Sequence, residues 1–117
     1  MKHILVVEDD KNAGFLLVDH LTSEGYKVSL AKDGEEAWLL INCNKFDLYI
    51  LDIMLPKMDG ISLAKKIRDI NYSIPILFYK FSEKIDNFVD IIDLRINGCL
   101  TMPLDLDKLI FYLKRII

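Results

Sequence analysis

Two groups of acidic residues, each at the end of an apolar run, are the strongest candidates for chemistry in this sequence. Glu8, Asp9 and Asp10 follow the first apolar run of the chain, and Asp52 follows the apolar run 48–51. If both runs are neighbouring parallel strands, their carboxyl ends bring these acids to one edge of a sheet. Carboxylates held that close repel one another unless a cation or a proton joins them. A hard divalent ion such as Mg²⁺ is therefore the expected partner.

Helix capping is a simpler role for some of these acids. Asp9 or Asp10 in front of a helix would stabilise its N-terminus, where a carboxylate is favourable. Asp52 does not fit that role, because the apolar Leu51 precedes it and the apolar Ile53 follows it. We therefore expect a chemical function for Asp52, and both interpretations stay open for the acids of the first group.

The same acids argue against two kinds of phosphate chemistry. A nucleotide or flavin phosphate loop needs Gly, Ser or Thr and backbone N–H groups after the first strand, whereas three consecutive acids repel phosphate. A Mg²⁺-dependent phosphatase of the haloacid dehalogenase type has a second acid two residues after its nucleophile, and Met54 stands at that position. A small Mg²⁺-dependent phosphatase is thus the weakest alternative, and we expect no enzymatic turnover.

An alternation of strands and helices must position these acids. Short apolar runs alternate with stretches in which apolar residues recur at helical spacing. The predicted strands are 4–7, 28–31, 48–53, 74–79 and 99–101, and the predicted helices contain residues 13–21, 34–41, 61–67, 85–92 and 106–116. Five such units with right-handed crossovers predict an α/β fold: a doubly wound, five-stranded parallel sheet with helices on both faces.

The composition is that of one packed domain, which we expect to span residues 1–117. Hydrophobic residues make up 52% and charged residues 28% of the 117 residues, which argues against disorder. The net charge of −3 provides no general attraction to nucleic acid or anionic lipid, so we expect neither as a direct partner. No apolar run is longer than five residues, far below the ~18 of a membrane-spanning helix. Cys43 and Cys99 form no CxxC pair, so we expect a reduced, cytoplasmic protein without zinc.

The two acidic segments also carry a family resemblance. The runs ILVVEDD at 4–10 and DLYILDIMLPKMDG at 47–60 resemble the receiver domain of bacterial response regulators, and AKDGEEA at 31–37 and IPIL at 74–77 fit the same family. The block from Asp52 to Gly60, with its Asp-x-x-x-Pro-x-x-Asp-Gly spacing, is similar to the winged-helix transcription-factor branch. The resemblance covers essentially the whole chain and implies the flavodoxin-like (βα)5 fold with strand order 2-1-3-4-5.

The resemblance also implies a role for each residue of the site. Asp52 falls on the phosphoacceptor, which takes a phosphoryl group from a sensor histidine kinase. Glu8 and Asp9 fall on the acidic pair that holds a weakly bound Mg²⁺ together with Asp52 and the backbone carbonyl of Met54. The loop-shaping residues after the third strand and near the end of the fifth strand are Pro56, Gly60 and Pro103.

Three switch positions depart from the family pattern. Lys80 stands where a Ser or Thr usually ends the fourth strand, Met102 replaces the Lys before Pro103, and Cys99 replaces an aromatic residue. The Lys80 ammonium, on its flexible four-carbon stem, is expected to reach the carboxylates of Asp52 and Asp9 from the neighbouring strand, and the alternative is that it points into water. The resemblance is therefore to an atypical receiver, in which phosphorylation is only weakly coupled to a conformational switch.

The expected function is signal relay in a two-component pathway. We expect the chain to be the N-terminal domain of a longer response regulator whose DNA-binding effector lies outside it, and a free-standing receiver is the other possibility. A homodimer would use the predicted fourth helix, fifth strand and fifth helix. The main alternative is a pseudo-receiver that works through protein contacts without phosphorylation.

Overall fold

The apolar runs of the sequence form a five-stranded parallel sheet. The computed structural model describes residues 1–55, 58–71, 73–79, 94–100 and 104–117. The strands are β1 (His3–Val7), β2 (Lys27–Ala31), β3 (Leu48–Asp52), β4 (Ile76–Tyr79) and β5 (Gly98–Leu100). The helices described are α1 (Lys11–Ser23), α2 (Gly34–Cys43), α3 (Gly60–Ile70) and α4 (Leu106–Ile116). The helix α4 is the fifth helix of the sequence prediction, and the predicted fourth helix at 85–92 lies outside the described residues.

The strand order is β2-β1-β3-β4-β5, which confirms the doubly wound topology. Every residue of the central strand β3 is buried, as expected for an apolar run without polar alternation. The helices α1 and α4 cover one face of the sheet, where Leu17 and Leu109 share a core with Ile50. The helices α2 and α3 cover the other face, where Ala37 and Ile67 belong to a second core. Among the described helices, none combines the length and the apolar character that a membrane span requires.

Each described helix begins after an aspartate. The carboxylates of Asp10, Asp33, Asp59 and Asp105 accept hydrogen bonds from backbone N–H groups in the first turn of α1, α2, α3 and α4. These bonds satisfy donors that have no partner within the helix. The choice left open between Asp9 and Asp10 is thereby settled, because Asp10 caps α1 and Asp9 does not.

The strand boundaries differ slightly from the predicted ones. The strand β4 begins at Ile76 rather than at 74, because Pro75 has no N–H for the ladder and the Ile74 N–H donates to the Asn71 side chain instead. The strand β3 ends at Asp52, one residue before the predicted end, so Ile53 already belongs to the loop. Asp52 is therefore the last residue of the central strand.

Candidate functional site

The carboxyl ends of β1 and β3 bring three carboxylates together. The strands β1 and β3 are neighbours in the sheet, with Val7 opposite Leu51. Glu8 follows Val7 and Asp52 follows Leu51, so the two acids lie side by side at the same edge of the sheet. Glu8, Asp9 and Asp52 each offer one oxygen, and these oxygens lie within 4.8 Å of one another. Three hard carboxylate donors are a ligand set that suits Mg²⁺. We call these three residues the acidic cluster.

Two residues of the acidic cluster are buried and the third is exposed. Asp52 is 0% and Glu8 is 2% exposed, whereas Asp9 is exposed to solvent. Burial strengthens the repulsion between carboxylates because the effective dielectric constant is lower there than in water. The arrangement therefore favours a cation that enters from the side of Asp9.

The loop after β3 orients Asp52. The Met54 N–H donates a hydrogen bond of 2.9 Å to Asp52 Oδ1. The Met54 side chain is 71% exposed, so this residue contacts the site through its backbone. This placement is compatible with the expected use of the Met54 carbonyl as a metal ligand, which stays a prediction.

Glu8 is held at both carboxylate oxygens. Its Oε1 accepts a hydrogen bond of 3.1 Å from the Asp10 N–H, and its Oε2 accepts one from the Tyr79 hydroxyl. Tyr79 is the last residue of β4, on the far side of β3 from β1. Tyr79 was not predicted as a site residue, because its only sequence signal was an aromatic residue with a polar tip at the end of a buried strand.

Gly60 lets the chain return close to Asp52. A Cβ atom built on Gly60 would lie 2.3 Å from the backbone oxygen of Asp52 and 2.9 Å from Cα of Ile53. The Gly60 N–H also donates to the Ile53 carbonyl at 3.1 Å. The structure thus gives a steric reason for glycine at this loop-shaping position. Pro56, the other loop-shaping residue of this segment, lies outside the described residues.

The switch positions are only partly described. Lys80 and Met102 lie outside the described residues, as does the loop-shaping Pro103. Cys99 lies on β5 opposite Phe78 and does not belong to the acidic cluster. Although Cys99 is exposed as a residue, packing around its sulfur desolvates the thiol and raises its pKa above the usual value.

Known proteins resemble this chain over most of its length. A family model described as the response regulator receiver domain matches residues 4–114. The transcriptional regulatory protein RprY of Bacteroides fragilis is 34% identical over 114 residues, which cover 97% of this chain and 48% of that protein. The transcriptional regulatory protein DltR of Streptococcus agalactiae is 36% identical over 107 residues, which cover 92% of this chain and 48% of that protein.

A solved structure gives the same answer for the fold. The response regulator protein TrrA of Thermotoga maritima, solved in complex with Mg²⁺-BeF, superimposes with a TM-score of 0.89 at 30% identity and covers 100% of both chains. The chain spans about half the length of the two transcriptional regulators, whose names agree with the expected transcription-factor branch. With its strand order, its acidic strand ends and a family match over residues 4–114, the chain belongs to the response regulator receiver domains of two-component signalling.

Proposed function

We propose that this chain accepts a phosphoryl group on Asp52 from the phosphohistidine of a sensor histidine kinase, with Mg²⁺ held by the acidic cluster. The observation that carries the proposal is the convergence of Glu8, Asp9 and the buried Asp52 at the ends of two neighbouring strands. Asp52 is the one member of this cluster that ends a fully buried strand, and its Oδ1 is oriented by the Met54 N–H.

In the proposed reaction, the Asp52 carboxylate attacks the phosphorus atom of the phosphohistidine. A bond forms between a carboxylate oxygen and phosphorus, and the bond from phosphorus to the imidazole nitrogen breaks. The electron pair of the broken bond stays on the imidazole, and the product on this chain is an aspartyl phosphate. The nucleophile and the phosphoryl group are both anionic, and a bound Mg²⁺ supplies the charge neutralisation that this approach requires. Glu8 and Asp9 are the residues that would hold the ion beside Asp52.

We further propose that the chain is the N-terminal domain of a longer transcriptional regulator. The chain spans about half of RprY and of DltR, both of which are named as transcriptional regulatory proteins. A DNA-binding effector would then lie beyond this domain, whose own net charge of −3 gives no attraction to DNA. A homodimer would use β5, α4 and the predicted fourth helix at 85–92, which lies outside the described residues; Phe111 and Tyr112 are exposed on α4.

A titration with Mg²⁺ tests the metal site. We expect amide resonances around Asp9 and Asp52 to shift at millimolar Mg²⁺, because the ion relieves repulsion among the three carboxylates. The N-terminus of α4 provides an internal control, since Asp105 and Asp107 lie there outside the cluster. Shifts confined to α4, or no shifts at all, would contradict the proposed metal site.

The departures at the switch positions favour a second candidate, in which the domain acts through protein contacts without phosphorylation. A charged Lys80 lacks the hydroxyl that binds a phosphoryl oxygen, and Met102 lacks the ammonium that pairs with it. The double variant Lys80→Thr/Met102→Lys is therefore expected to raise the phosphorylated fraction, or its lifetime, severalfold with a small phosphodonor. Quantitative separation of the phosphorylated form measures both. If the wild-type domain already phosphorylates stoichiometrically and changes its oligomeric state, the hypothesis of a degenerate switch is wrong.

A further inference from the structure

A buried tyrosine connects β4 to the acidic cluster. The Tyr79 backbone lies opposite Asp52 in the register of β3 and β4, and its side chain is 1% exposed. The ring packs in the core beneath α1 and α4, in the same apolar group as Leu17 and Leu109. From this position the hydroxyl donates a hydrogen bond to Glu8 Oε2, at the end of β1.

Glu8 needs fixed donors because it is a nearly buried carboxylate. Removing a carboxylate from water is costly unless hydrogen bonds or opposite charges replace the lost hydration. The Asp10 N–H, which donates to Oε1, is held in place because Asp10 caps α1. The Tyr79 hydroxyl, which donates to Oε2, is held in place by the core around its ring. The two donors therefore limit the rotation of the carboxylate.

The longer side chain of a glutamate makes such restraint more important. Glu8 has one methylene more than an aspartate, and hence more rotamers in which its oxygens point away from Asp9 and Asp52. The Glu8 side chain also passes close to Gly14 of α1: a Cβ atom built on Gly14 would lie 3.7 Å from Glu8 Cγ. A ligand that is held in place before the ion arrives loses less conformational entropy on binding.

We infer that Tyr79 is a positioning residue for Glu8 and that its hydroxyl sets the affinity of the acidic cluster for Mg²⁺. This inference rests on the metal site proposed above. A residue that hydrogen-bonds to a metal-ligating side chain orients that ligand. Removing such a residue typically lowers metal affinity by about 10–100-fold. Loss of the donor also leaves more negative charge on Oε2, which favours a cation. Because Glu8 is only 2% exposed, water cannot replace the hydroxyl without a movement of the carboxylate, so we expect the loss of positioning to dominate.

The test is a Mg²⁺ titration of Tyr79→Phe, which removes the hydroxyl and keeps the ring. The dissociation constant for Mg²⁺, measured from amide shifts around Asp9 and Asp52, is expected to rise about tenfold. Tyr49→Phe is the matched control: Tyr49 is also buried in the sheet, but it lies near Phe46 at the opposite end of β3. Burial raises the pKa of Tyr49 to about 12, so Tyr49→Phe removes a protonated hydroxyl and changes no charge. It is expected to leave the dissociation constant unchanged.

A double-variant cycle separates positioning from a general structural effect. In the Glu8→Gln background, Tyr79→Phe is expected to change Mg²⁺ affinity little further, because the carboxylate that the hydroxyl holds is already gone. The same tenfold loss in that background would show that Tyr79 acts through the fold, and would overturn the inference. A dissociation constant for Tyr79→Phe within twofold of the wild type would overturn it as well. Absence of Mg²⁺ binding by the wild-type domain would instead overturn the proposed metal site together with the inference.

Discussion

Asp52→Asn is expected to abolish phosphorylation of this domain by a small phosphodonor in the presence of Mg²⁺. The amide is nearly isosteric with the carboxylate, but it is a poor nucleophile for phosphorus and a weaker ligand for the ion. The substituted side chain keeps an oxygen that can accept the Met54 N–H hydrogen bond, so the loop after β3 is expected to stay in place. Mass spectrometry of the intact protein measures the result as loss of the phosphorylated species.

Asp10→Asn is the matched control for this experiment. Asp10 follows the acidic pair directly, but its carboxylate caps α1 and does not belong to the acidic cluster. Asparagine caps a helix about as well as aspartate, so we expect this variant to fold and to be phosphorylated like the wild type. If Asp52→Asn is phosphorylated to the wild-type extent, another residue is the phosphoacceptor and the proposed function is wrong.

Gly60→Ala is expected to destabilise the domain by about 2–3 kcal/mol and to slow phosphorylation of Asp52. The new Cβ would lie 2.3 Å from the Asp52 backbone oxygen, a contact that only a movement of the backbone can relieve. Overpacking of this kind typically costs about 1–3 kcal/mol. We expect the upper part of this range, because both atoms that the new Cβ would meet, the Asp52 oxygen and the Ile53 Cα, belong to the main chain. The displaced segment is the one that presents Asp52, so the same change disturbs the acidic cluster. Urea denaturation measures the free energy of unfolding, and phosphodonor kinetics measure the rate.

Gly98→Ala provides the comparison on β5. An added Cβ there meets a methyl group of Leu77 at 3.1 Å, and the end of a flexible side chain gives way more easily than backbone. We expect a smaller loss of stability and an unchanged rate of phosphorylation at Asp52. If Gly60→Ala is no less stable than Gly98→Ala, the close approach of α3 to β3 does not explain the glycine at position 60.

Local sequence patterns predict most of the described fold. The run 48–51 lacks polar alternation because both faces of β3 are covered, and this pattern predicts a strand in the interior of a doubly wound sheet. Asp33 and Asp105 mark helix starts because a side-chain cap depends on residues only two or three positions away. The predicted strand boundary was wrong by two residues at β4, because Pro75 has no N–H for the sheet and the strand begins only at Ile76.

The convergence of the acids was predictable because it follows from topology. Once two apolar runs are neighbouring parallel strands, Glu8 and Asp52 must come to the same edge of the sheet. Helix-capping rules alone did not distinguish Asp9 from Asp10, since both acids stand where a helix begins, whereas the family resemblance placed Asp9 beside Glu8 in the acidic pair. The backbone geometry at the start of α1 decided that Asp10 caps the helix and that Asp9 joins the cluster.

The sequence by itself therefore determined the described strands and helices, their parallel arrangement and the acids at the strand ends, because each depends on periodicity, capping or connection rules that act over short stretches. The strand order 2-1-3-4-5 followed from the family resemblance, and the structure confirms it. Only the tertiary structure decided which residues support the acids. The Tyr79 hydroxyl meets Glu8 across 71 positions of sequence, and such a contact depends on side-chain packing in three dimensions rather than on local spacing. The glycine at position 60 likewise has its reason in a backbone approach to Asp52 that no sequence pattern reports.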